Sequence, residues 1–181
     1  VYLTREPITL SAVIASPVGA KQSHYEIASL PPSGTPRNDV EADNFKAGAS
    51  VLFLGKVRDH SEGRKVLYLE YEAFEAMAES VIADLIAEAH HHWSVDEIKI
   101  LHRLGEVKLG EIAVAIAVKS THRDEAYQAS RFLIEGIKHR VPIWKKEYFE
   151  DGTSEWSQCN VPPKGLHLVN GDCCADLQRS A

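Results

Sequence analysis

Apolar and polar residues change period several times along this chain, and each change marks an element. Residues 1–9 predict a short strand and residues 10–15 a short apolar helical turn that Pro17 ends. Between Gly19 and Lys46 the periodicity dissolves into Pro31, Pro32, Gly34, Pro36 and scattered Ser and Asn, a long loop (19–46) that interrupts one domain rather than dividing two. Val51, Leu52, Phe53 and Leu54, within residues 49–57, form a continuous apolar run of the kind a fully buried strand shows. A polar turn over 59–64 then leads into Leu67, Leu69 and Tyr71 alternating with Tyr68, Glu70 and Glu72, which predicts a half-buried strand paired with the previous one.

The period next lengthens. Met77, Val81, Leu85, Ala89 and Trp93 recur every fourth residue, widened by Ile82 and Ile86, and predict one long amphipathic helix. Residues 98–103 and 111–118 read as strands joined by a loop holding Gly105 and Gly110, the second strand apolar enough to be central. Over 124–140, Ala126, Ala129, Phe132, Leu133, Gly136 and Ile137 share one helical arc, while Lys138 points outward with Tyr127, Arg131 and Ile134. Pro142 stops that helix and sends 143–149 out as a strand. Strands and helices do not alternate regularly, so the expected class is α+β with a mixed or antiparallel sheet and two main helices. The expected organisation is one domain over 1–156 and a tail, 157–181, without periodicity.

Composition narrows the function. With 181 residues, 44% of them hydrophobic, the chain can bury a sizeable core. A net charge of -6 gives the whole molecule no attraction to nucleic acid or anionic membrane, so any anion it binds must be drawn by a local cluster. Cys159, Cys173 and Cys174 make no disulfide framework, no apolar run is long enough to cross a bilayer, and the first residues lack a signal pattern; a cytoplasmic protein is expected.

Candidate chemistry lies in the cations. Lys138, His139 and Arg140 close the last helix, with Lys145 and Lys146 just beyond Pro142. The helix dipole alone favours cations there by about 0.3–1 kcal/mol, and alternation in the segment that follows could bury Trp144 and expose Lys145, so a structural reading stands beside an anion-binding one. His122 and Arg123 sit at a strand-to-helix junction, and Arg58 leaves an apolar strand. Three consecutive histidines, His90 to His92, diverge by about 100° each and predict a solvated helix end rather than a metal site. Glu70 and Glu72 read as an exposed strand face, and the adjacent cysteines have no basic activator nearby in sequence.

Taken together, Gly55-Lys56-Val57-Arg58-Asp59-His60, Leu69-Glu70-Tyr71-Glu72-Ala73-Phe74, Met77-Ala78-Glu79, His102-Arg103-Leu104-Gly105, Ser120-Thr121-His122-Arg123 and Pro142-Ile143-Trp144-Lys145-Lys146-Glu147 closely resemble the molybdopterin synthase large-subunit family. The resemblance spans roughly residues 47–156. It implies an α/β-hammerhead fold and a homodimer forming the core of a heterotetramer. A small ubiquitin-like sulfur-carrier subunit, ending in a Gly-Gly thiocarboxylate, would dock at each end. The implied reaction passes sulfur in two rounds to cyclic pyranopterin monophosphate, precursor Z, forming the molybdopterin dithiolene without metal or cofactor. By the same resemblance Lys138 and Lys145 are the catalytic lysines, and Phe53, Lys56, Arg58, Lys146 and Glu147 line the substrate pocket. His122 and Arg123 would hold the substrate phosphate, from the other protomer. The loop 19–46 and the tail depart from the family pattern, as does Ile134, where some relatives carry Met; a basic residue expected in the tail, Lys164 or Arg179, has no clear match. Two other readings remain at this point: a scaffold that docks the carrier without turnover, and nucleic-acid binding through the 138–146 cations, which the acidic total charge and few nearby aromatics oppose.

Overall fold

The computed structural model describes residues 2–14 and 47–157; the loop 19–46, the three cysteines, Lys164 and Arg179 lie outside them. Strand β7 (Ile112–Ser120) is the centre of the main sheet. It pairs antiparallel with β2 (Ala49–Lys56) on one edge and β5 (Val95–Arg103) on the other, and the short β1 (Leu3–Thr4) adds parallel to β5. Both faces of β7 are covered, which is why its sequence is almost unbroken Ile, Ala and Val. Val114, Ile116 and Val118 meet helices α2 (Glu75–His92) and α3 (Arg123–Arg140). Ala115 meets Ile8 and Val13, the latter on the small helix α1 (Leu10–Ile14).

A second sheet carries the site. In it β3 (His60–Ser61), β4 (Arg64–Ala73), β8 (Ile143–Phe149) and β9 (Ser154–Trp156) run in that order, and β6 (Gly105–Lys108) also pairs with β4. The class is α+β with two long helices, as expected, but several local expectations are corrected. The strand containing Leu69 pairs with β3, β6 and β8 and not with β2, which among the described residues pairs with β7 alone. A bulge between Val66 and Tyr68 breaks the two-residue period, so Val66 and Leu69 turn inward and Leu67 is left half-exposed. Residues 105–108, expected as loop, form β6: Gly105, at φ 78°, lets the chain leave one sheet and enter the other. The first strand covers two residues only.

Burial also differs in places from the periodicity. Among the described residues β2 is paired on one edge, and Leu52 is exposed. In α2 the inward row is Ala78, Ile82, Leu85 and Ala89, one residue out of phase with Met77, which is 51% exposed. Ile134 is buried: α3 packs on β7, β2 and α2 at once, so its apolar arc extends along Ala126, Ser130 and Ile134. Trp144 is exposed and Lys145 turns inward, the reverse of the alternation that would bury Trp144 and expose Lys145. His90, His91 and His92 are exposed at the end of α2, as predicted.

Candidate active site

The β4–β8 register decides which side chains converge. Tyr71 faces Lys145 and Leu69 faces Glu147, while the intervening pairs are Glu70 with Lys146 and Glu72 with Trp144. Successive side chains point to opposite faces, so Lys145 and Glu147 enter one face and Lys146 the other. A cleft of about 130 Å³ opens on the first face. Val66, Leu69 and Tyr71 make its apolar floor, and Lys56, Arg58, His60, Ser61, Lys145 and Glu147 its polar wall. The tight turn between β3 and β4 brings His60 and Ser61 there. Glu62 and Gly63 both take positive φ, 49° and 81°, the paired left-handed geometry of a two-residue hairpin.

Glu147 is the electrostatic pivot. Its side chain is only 10% exposed and lies 2.8 Å from Lys145 Nζ. Burial pushes its carboxyl up, but hydrogen bonds from Lys145 and Ser61 and the charges of Lys145 and Arg58 outweigh this and hold it below the usual carboxylate range. Three cations, Lys56, Arg58 and Lys145, therefore surround one carboxylate, leaving the cleft positive inside an acidic chain. Beneath the floor, burial pushes His102 down to about 4, against the opposing pull of its hydrogen bond to the Arg103 carbonyl; a carbonyl accepts, so Nδ1 carries the proton. Among the described residues, no group of three His, Cys, Asp or Glu could hold a metal ion.

Not every candidate joins the cleft. Phe53 pairs with Ile116 and packs into the helix-side core. Lys146 sits on the outer face, its ammonium 5.1 Å from the Tyr148 ring and 5.7 Å from that of Trp156. His122 and Arg123 open α3 beside the Ala49 end of β2, held there by the buried Ser120 hydroxyl, which donates to the Ser94 carbonyl at 2.8 Å and accepts from His122 N–H at 3.3 Å. Seven strand steps, about 24 Å, separate that end from Lys56. α3 then runs back about 25 Å, so Lys138 in its last turn returns toward the Lys56 end of the sheet, without lining the cleft. The dipole reading fits the neighbours of Lys138 better than Lys138 itself: Arg140 makes a bidentate pair with Glu88 at 2.6 and 2.7 Å and His139 approaches Glu135 at 3.6 Å. Among the described residues Lys138 has no ion-pair partner. Tyr71, His60, Ser61, Val66 and Leu69 were not expected as site residues from the sequence, although Tyr71, His60 and Leu69 stand inside the family-like motifs.

Two sheets flanking a small cationic cleft with one embedded carboxylate define an α+β protein equipped for an anionic substrate. Residues 34–140 match the family model described as MoaE protein, and the chain belongs to that family. It is similar to the molybdopterin synthase catalytic subunit of Halalkalibacterium halodurans, 46% identical over 106 residues, 59% of this chain and 68% of that one. To the subunit of that name in Staphylococcus aureus it is 49% identical over 113 residues, 62% and 76% of the two chains. Among solved structures, the crystal structure of molybdopterin synthase from S. aureus superposes with a TM-score of 0.60 at 46% identity, covering 64% of this chain and 83% of that one. The complex of subunits 1 and 2 of the molybdopterin-converting factor from Helicobacter pylori does so at 0.55 and 25%, covering 71% and 85%.

Proposed function

We propose that this chain is a sulfurtransferase that moves sulfur from the C-terminal thiocarboxylate of a small ubiquitin-like carrier to precursor Z, building the molybdopterin dithiolene. The observation that carries the reading is the cleft in which Lys145, Arg58 and Lys56 surround Glu147 in a chain of net charge -6. Both reactants are anions, a phosphate-bearing pterin and a thiocarboxylate tail, and both need cations to enter a partly dry site. In each round the carrier sulfur forms a C–S bond to a side-chain carbon of the pterin as an oxygen substituent leaves that carbon. Water then cleaves the carrier's own acyl C–S bond, leaving the sulfur on the pterin and the carrier tail a carboxylate. Lys138 and Lys145 act on the charge that develops at the tail carbonyl, stabilising an oxyanion and exchanging protons with it. Glu147 fixes the Lys145 ammonium at 2.8 Å and so orients it.

Lys56 and Arg58 line the substrate pocket in this reading, whereas Phe53 and Lys146 lie off it. His122 and Arg123, about 24 Å away along β2, serve the site of a second copy, which makes the functional unit a homodimer with a carrier at each end. The setting in this reading is cytoplasmic. Single-turnover conversion of precursor Z by this protein and thiocarboxylated carrier, with Lys138→Ala alongside, tests the proposal. Dithiolene formation that falls by about a hundredfold or more in the variant is the expected result, the scale of losing one charge-stabilising group. A wild-type protein that binds carrier yet forms no product would make the chain a scaffold instead.

A further inference from the structure

Tyr71 stands on the cleft floor directly across from Lys145. Its ring packs against both the helix-side core and the smaller core of the second sheet. The buried imidazole of His102 meets it edge-on, with centroids 5.0 Å apart at 73°. Packing therefore fixes the ring, and a phenylalanine would satisfy every one of these contacts. The hydroxyl is what packing leaves unexplained: among the described residues it has no hydrogen-bond partner. Tyr148 shows the contrast, since its hydroxyl donates to Glu70 at 2.7 Å on the opposite face of the sheet. Burial, aided by the charge of Glu147, pushes the Tyr71 phenol up to about 12, so it keeps its proton and is a donor at any working pH.

We infer that Tyr71 is a substrate-contacting residue whose phenol O–H donates a hydrogen bond to an anionic oxygen held in the cleft beside Lys145 and Arg58. The inference deepens the sulfur-transfer reading and rests on the cleft being that site. Two reactants bring such an oxygen: the carrier's terminal carboxylate or thiocarboxylate, and the pterin phosphate. A neutral donor suits this spot because Glu147 already occupies the cleft, and a fixed O–H favours an anion there without adding a charge that Glu147 would capture.

Tyr71→Phe deletes the hydroxyl and leaves the ring contacts, so the thermal midpoint is expected within about 2 °C of wild type. In single-turnover assays of the full protein with carrier, the variant should lose about tenfold to a hundredfold, the scale of one hydrogen bond to a charged group. A loss in apparent carrier affinity assigns the oxygen to the tail, one in apparent pterin affinity to the phosphate, and one in rate at saturation to the reacting carbonyl. Wild-type kinetics in all three overturn the inference. Should wild type itself fail to turn over, the sulfur-transfer reading fails separately. Titration of both proteins with inorganic phosphate and with a peptide ending in a Gly-Gly carboxylate then decides Tyr71: tenfold weaker binding of either probe to Tyr71→Phe sustains its role, and equal or undetectable binding of both probes in both proteins ends it.

Discussion

The two long helices approach each other closely at Gly136, two residues before Lys138, and the contact can be tested by a substitution whose effect should change sign. A Cβ placed on Gly136 would lie 2.5 Å from Leu85 Cδ2, 3.1 Å from Cδ1 and 3.4 Å from Cγ. Leu85 is fully buried and has little room to retreat. In the native background Gly136→Ala gains about 1 kcal/mol of helix propensity and loses about 1–3 kcal/mol to overpacking, a net cost of about 0–2 kcal/mol. Leu85→Ala alone should cost about 3–5 kcal/mol by opening a cavity. In that background the steric partner is gone, so Gly136→Ala should now stabilise by about 1 kcal/mol, more if its methyl fills part of the cavity. The coupling is thus about 1–3 kcal/mol, readable from urea midpoints of the four proteins at one fixed protein concentration, since the stability of the proposed dimer would depend on it. Equal effects of Gly136→Ala in both backgrounds, within about 0.5 kcal/mol, would refute the helix contact as described.

Two further outcomes follow from buried and divided groups. His102 takes a proton near 6.5 when unfolded and only near 4 when folded, so between those values the unfolded chain binds more protons and stability falls as pH drops, by up to about 3 kcal/mol. His102→Gln should flatten that part of the urea-midpoint profile between pH 7 and 4.5; parallel profiles for the two proteins would sink the assignment. In the proposed dimer, Lys145→Ala and His122→Ala should each abolish product formation, yet their mixture after subunit exchange should recover about a quarter of the wild-type sites, because half the dimers are hybrid and each hybrid holds one intact site. No recovery despite demonstrated exchange would mean that both residues serve the same copy's cleft.

What the sequence determined by itself is whatever a local period or a contiguous motif can encode. The central β7 was legible because burial on both faces demands an unbroken apolar run, and α2 and α3 because their four-residue recurrences are long. The motif around Lys145 and Glu147 was legible as a family resemblance. The tertiary structure decided everything that depends on pairing. Which strand lies beside β4 is a long-range choice that no local pattern records, and it puts Lys145 opposite Tyr71 and sends Lys146 to the other face. A single bulge at Val66 reverses the faces predicted upstream of it, because side-chain orientation has a period of two. The phase of α2 and the burial of Ile134 likewise follow from neighbours that arrive from elsewhere in the chain. The hydroxyl of Tyr71 and the low proton affinity of His102 became visible only there, since a group's partners and its loss of water are properties of the folded environment and not of the residue.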